Sequence, residues 1–134
     1  MGTFANLEEA RAFFQGDRYA MRSGITLDAL DADCAKCSVT IDDDLHRNAA
    51  GGVMGGVIFT LADFAFAAAT NNMHHVTVAL DVHIHYLSAT RGKRLFAETK
   101  CIKDGKTTCV YDVDVTDDLG RHIAKFVGTG YKMP

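Results

Sequence analysis

Asn48-Ala49-Ala50-Gly51-Gly52-Val53-Met54-Gly55-Gly56-Val57-Ile58-Phe59-Thr60-Leu61-Ala62-Asp63-Phe64-Ala65-Phe66-Ala67 is the stretch whose reading decides the fold. A glycine-rich turn runs straight into a long apolar segment. Between Ala49 and Met73 the only charged side chain is Asp63. A carboxylate in such surroundings is costly unless it is paired, hydrogen-bonded or used in chemistry. A helix entered through glycines presents free backbone N–H groups at its first turn. Residues 57–70 read as a helix that is apolar nearly all round, the pattern of a helix buried in the middle of a domain. Gly55-Gly56 and Asn71-Asn72 are its start and stop signals.

On either side of this helix the chain reads differently. Upstream, Asn6 caps an amphipathic helix over residues 7–15, where Leu7, Ala10, Phe13 and Phe14 recur at helical spacing. A further turn over residues 19–22 completes an N-terminal helical segment, 1–22. Residues 25–30 and 35–42 form two strands about a turn at Asp31-Ala32-Asp33, and the second strand alternates with period two. Downstream everything reads as sheet. In residues 76–86, Val76, Val78, Leu80, Val82, Ile84 and Tyr86 alternate with Thr77, Ala79, Asp81, His83 and His85. That alternation predicts one apolar and one polar face. Strands over 94–103, 107–116 and 122–131 follow, joined by short turns, so they are largely antiparallel. About six strands around one helix is an α+β arrangement, and 134 residues suffice for a single domain spanning 1–134.

The bulk composition excludes several classes of function. A net charge of −3 gives no general attraction to nucleic acid or to an anionic membrane. The N-terminus lacks a basic region followed by an apolar one, and Asn6 stands where a myristoylation signal needs Ser or Thr. A cytoplasmic location is the expectation. Cys34-Ala35-Lys36-Cys37 has redox or zinc spacing. On a strand, however, that spacing points the two sulfurs to opposite faces, so reduced structural thiols are expected. His83 and His85 share a strand face with Asp81, but no further ligand is evident. A surface or interface pair is the simpler reading, and no metal is assigned. Asp42-Asp43-Asp44 lacks the spacing and closing Glu of a calcium loop.

The arrangement resembles the hotdog fold, a curved antiparallel sheet wrapped round a central helix. In detail, Asn48, the run Gly55-Gly56-Val57-Ile58-Phe59-Thr60-Leu61-Ala62-Asp63 and Ala65-Phe66-Ala67 resemble the signature of the PaaI-type acyl-CoA thioesterases. Thr77, Tyr86-Leu87-Ser88-Ala89 with Gly92, Gly105 and Asp117-Asp118-Leu119-Gly120 match more loosely. The resemblance covers roughly residues 20–131. It departs at Met54, where the family usually has His, because a thioether donates no hydrogen bond.

The resemblance implies hydrolysis of an acyl- or aryl-CoA thioester. Asp63 would be the general base or nucleophile, with its pKa raised by apolar surroundings. The N–H of Gly55, with Gly56, would form the oxyanion hole. Asn48 would position water or the carbonyl, and Thr77 would bond the water. Met54 and Phe59 would line the substrate site, and Arg91, Lys93 and Arg94 would meet the CoA phosphates. No cofactor is implied beyond the CoA of the substrate. The resemblance further implies a dimer joined edge to edge, or a dimer of dimers, with Asp63 of one subunit facing the glycine turn of the other. The alternative is a non-catalytic hotdog protein that binds acyl-CoA or an aromatic ligand. A dehydratase-type hotdog needs a helix His that this chain lacks, and a purely structural dimer is the remaining fallback.

Overall fold

The computed structural model describes residues 2–32 and 34–134. Met1, which opens the N-terminal segment, and Asp33, in the expected turn, lie outside the described residues. The elements are α1 (Leu7–Phe14), α2 (Arg18–Arg22), β1 (Thr26–Leu30), β2 (Ala35–Thr40), α3 (Gly55–Met73), β3 (Thr77–Tyr86), β4 (Arg94–Asp104), β5 (Thr108–Asp117) and β6 (His122–Lys132). All six strands lie in one sheet in the order β1-β2-β4-β5-β6-β3, and every neighbouring pair is antiparallel. The sheet wraps α3 as expected. Asn6 caps α1, its side chain accepting from the Glu9 N–H at 2.9 Å.

Alternation builds the core. Along β5, Cys109, Tyr111, Val113 and Val115 turn inward, and on β4 Leu95 and Ala97 do the same. They meet Leu61, Ala62, Phe64, Ala65, Phe66 and Ala69 of α3. Alanines let the sheet close on the helix. Glycine on β6 does the same for Phe66, since a Cβ at Gly128 would stand 2.9 Å from its ring.

Two expectations are corrected. The helix does not stop at Asn71-Asn72 but continues to Met73. Both asparagines tie it to other segments instead. The Asn71 amide donates to the carbonyls of Ala67 (2.9 Å) and Thr77 (3.1 Å), and its oxygen accepts from the Thr77 N–H at 2.9 Å. Asn72 donates to the Asp31 carbonyl at 2.9 Å and accepts from the Phe4 N–H at 3.2 Å.

The single apolar face expected on β3 is also broken. Ala79 pairs with Gly130 but Asp81 with Thr129, so Leu80 is an extra residue in a bulge. An added residue inverts the alternation. Val82, Ile84 and Tyr86 therefore share the helix side with Thr77, which is buried, while Val76, Val78 and Leu80 are exposed. Because β3 is an edge strand, it carries unpaired backbone groups beside this apolar surface.

Candidate active site

The loop before α3 is built to present a helix N-terminus. His46 is buried, and its ring holds the loop from both sides. Nδ1 accepts from the Asp42 N–H at 2.9 Å, so Nε2 carries the proton and donates to the Ser23 carbonyl at 2.8 Å. The His46 carbonyl accepts from the Met54 N–H at 2.9 Å, and Arg47 bridges to Val53. Asn48 organises the tip between them. Its side-chain oxygen accepts from the Ala50 (3.0 Å) and Gly52 (3.1 Å) N–H groups, and its own N–H donates to the Gly52 carbonyl at 2.8 Å. Its amide nitrogen has no bond to any described residue.

Met54 is the residue before the first turn of α3. Its backbone is extended, its side chain makes no capping bond, and it is 52% exposed. A helix beginning at Gly55 has no carbonyl four residues back for its first amides. The Val57 N–H reaches the Met54 carbonyl at 3.0 Å. The Gly55 and Gly56 N–H groups donate to no described residue. They open beside a cleft of about 390 Å³ lined by Val53, Gly55, Ile58, Tyr86, Leu87, Ser88 and Ala89. Phe59, one turn on, is partly buried against the core and packs its ring at 5.6 Å from that of Phe126.

Asp63 lies two turns further along α3, half-buried, and no described donor reaches its carboxylate. Burial raises its pKa, and the charge of Asp17 at the start of α2 adds to the effect. Eight residues of helix separate it from Gly55, about 12 Å at 1.5 Å per residue. A reacting carbonyl cannot touch both within one chain.

The remaining predicted site residues are dispersed. Thr77 sits at the other end of α3, its hydroxyl donated to the His74 carbonyl at 2.5 Å. The structure does not bring it to Gly55. Arg94 bonds the Ser38 hydroxyl at 2.9 Å and lies over the Phe96 ring, on the outer face of the sheet. Arg91 and Lys93 follow in the loop that continues from the cleft wall at Ala89, and neither forms an ion pair with a described residue.

His83 and His85 are exposed, and among the described residues no group of three ligands can hold a metal. All four cysteines are free thiols, and burial raises the pKa of Cys37. Sequence reasoning missed two residues of the site, His46 and Tyr86. Their partners, at Ser23 and Gly55, are remote in the chain; Tyr86 falls in a stretch that matches the family loosely, but nothing local points to its bond with Gly55.

A six-stranded antiparallel sheet around one central helix, with a glycine-opened N-terminus at a cleft, defines a hotdog-fold protein. The sequence profile of the thioesterase superfamily matches residues 50–124. The chain belongs to the thioesterase superfamily, a family of thioester hydrolases, and is PaaI-like within it. Acyl-coenzyme A thioesterase PaaI of Escherichia coli is 29% identical over 94% of this chain and 90% of its own. The structure of E. coli PaaI superposes with a TM-score of 0.88 over 95% of this chain and 92% of that one, at 28% identity. A protein of Archaeoglobus fulgidus named as an esterase is 39% identical over 66% of this chain, and the match spans only 58% of that relative's length. The structure of smu.793 from Streptococcus mutans UA159, bound to acetyl-CoA, superposes with a TM-score of 0.77 at 27% identity, over 82% and 89% of the two chains.

Proposed function

We propose that this protein hydrolyses acyl- or aryl-CoA thioesters at a site shared by two subunits. One observation carries the proposal. The two groups that such hydrolysis needs stand on one helix, both unpartnered, about 12 Å apart. A two-fold axis that reverses the helix and passes near residue 59 sets Asp63 opposite Gly55 of the partner subunit. The exposed edge strand β3 supports such pairing, since joining two edges satisfies their backbone groups and gives Val78 and Leu80 cross-strand neighbours.

In this site the thioester carbonyl oxygen receives the Gly55 and Gly56 N–H groups. Negative charge develops on that oxygen as the tetrahedral intermediate forms, and fixed donors at a helix N-terminus favour the charged state. The Asp63 carboxylate takes a proton from water, or attacks the carbonyl itself, and CoA leaves as the thiol. Asn48 offers its free amide N–H₂ to the carbonyl or water from the loop tip. Met54 and Phe59 border the acyl group. Arg91 and Lys93 are placed to meet CoA phosphates, whereas Arg94 is already engaged. Acetyl-CoA bound to the Streptococcus mutans relative supports the substrate class. The four free thiols fit a reducing, cytoplasmic setting, and among the described residues no helix is long and apolar enough to cross a membrane.

A panel of aryl- and fatty-acyl-CoAs, with released thiol trapped colorimetrically, tests the reading. Turnover of at least one class is the expected result, and none across the panel would refute it. Met54 favours a second reading, a binder without turnover. Calorimetry showing tight acyl-CoA binding in the absence of hydrolysis would select that alternative.

The environment of Asp63 sets the pH dependence. The base acts as a carboxylate, so activity falls as pH drops through its raised pKa. Asp17→Asn removes one of the two causes and lowers that pKa. The acid limb of the kcat/KM profile therefore moves to lower pH in this variant. Burial still holds the limb above the ordinary carboxylate range. An unmoved limb in matched pH–rate profiles would contradict the role given to Asp17.

A further inference from the structure

Tyr86 ends β3 on the helix side, opposite Ala124 of β6, and the Leu87 N–H fixes the strand end by donating to the Ile123 carbonyl at 2.8 Å. Its hydroxyl donates to the Gly55 carbonyl at 3.0 Å. Its ring lies directly on Gly55, where a Cβ would stand 3.1 Å from both Cζ and the phenol oxygen. The Gly55 carbonyl and the Gly56 N–H are the two ends of one peptide unit. A hydrogen bond accepted at the carbonyl polarises the unit and strengthens its N–H as a donor. It also fixes the plane in which that N–H points.

Within the thioesterase reading, on which the inference rests, we infer that Tyr86 is a positioning residue for the oxyanion hole. Acting through the Gly55–Gly56 peptide, it aims and strengthens the Gly56 N–H. This answers the departure at Met54. The thioether at the turn donates no hydrogen bond, and the donor at that turn comes instead from a phenol on the edge strand. The same ring lines the cleft and packs so closely on residue 55 that any side chain there would push it aside.

Tyr86→Phe keeps the ring and removes only the hydroxyl. Direct loss of an oxyanion donor costs about 10²–10³ in kcat. A group acting through that donor gives less, so kcat falls about tenfold, with KM within about twofold and an unchanged acid limb. A ring that only packs would leave kcat untouched. In the free protein the Gly56 amide resonance moves in a ¹H–¹⁵N spectrum of the variant, toward the position of an amide whose preceding carbonyl is unbonded. Wild-type kcat, or an unmoved Gly56 resonance, would overturn the inference. Absence of all acyl-CoA turnover in the wild type would instead refute the thioesterase reading, and the Gly56 resonance would then still show whether Tyr86 polarises the peptide.

Discussion

Asp63→Asn lowers kcat/KM for the best acyl-CoA by about 10³-fold and raises the thermal midpoint at neutral pH. The first effect follows from the chemistry. An amide is isosteric with the carboxylate, but it neither accepts a proton from water nor attacks a thioester, and a positioned base is worth about 10²–10⁴ in rate. The second follows from linkage. Burial, and then Asp17, raise the folded-state pKa of Asp63 above its unfolded value. Its contribution to stability is fully present below the unfolded pKa and is lost as pH rises through the folded pKa. At neutral pH the wild type therefore holds an unfavourable charge that the amide removes. The midpoints of the two proteins converge as pH falls toward the carboxylate range. Scanning calorimetry at acid and neutral pH, beside steady-state kinetics, checks both effects. Undiminished turnover in the variant would remove Asp63 from the mechanism.

Val78→Lys combined with Leu80→Lys produces a folded monomer whose turnover is at least about 10²-fold below wild type. Leu80 is 63% exposed on the β3 bulge and Val78 is 43% exposed, so within one chain lysine fits at either position. At a paired edge the two long ammonium side chains must stay solvated, and holding them against a neighbouring chain strips that water. Separation leaves each Gly55 turn without an opposing Asp63, and the proximity that makes the reaction effectively unimolecular disappears. Sedimentation velocity, circular dichroism and the thiol-release assay, run on one preparation, measure assembly, fold and activity together. An active monomer would contradict the shared site.

What the sequence revealed depended on the range of the interaction. The buried helix, the hairpins and the odd carboxylate at Asp63 follow from periodicity and composition, which are local. The bulge at Leu80 does not, because Val76 to Tyr86 alternates without interruption in sequence and only pairing with β6 reveals the extra residue. For that reason Thr77 was expected on the polar face and lies inside, bonded at the far end of α3. Asn71 and Asn72 carried the composition of a helix stop. Bonds to Thr77, Asp31 and Phe4 keep them helical, and those partners are set by tertiary packing. His46 and Tyr86 hold the site through Ser23 and Gly55, each more than twenty residues away. Arg94 groups in sequence with Arg91 and Lys93 as a cation for the CoA phosphates, but its bond to Ser38 on β2, fifty-six residues away, and its contact with Phe96 are set by strand pairing.

Complementation between inactive variants tests the shared site most directly. Asp63→Asn lacks the base, and Gly55→Val drives a side chain into Tyr86 where the oxyanion donor sits. Hybrids of the two, co-expressed with different tags and isolated through both, contain one site with an intact Asp63 and an intact Gly55. The other site is doubly defective. Such hybrids recover about a quarter to a half of wild-type turnover, as two-fold symmetry requires of one restored site per pair. Hybrids as inactive as either parent would place Asp63 and Gly55 of a single chain in the same site, contrary to the account given.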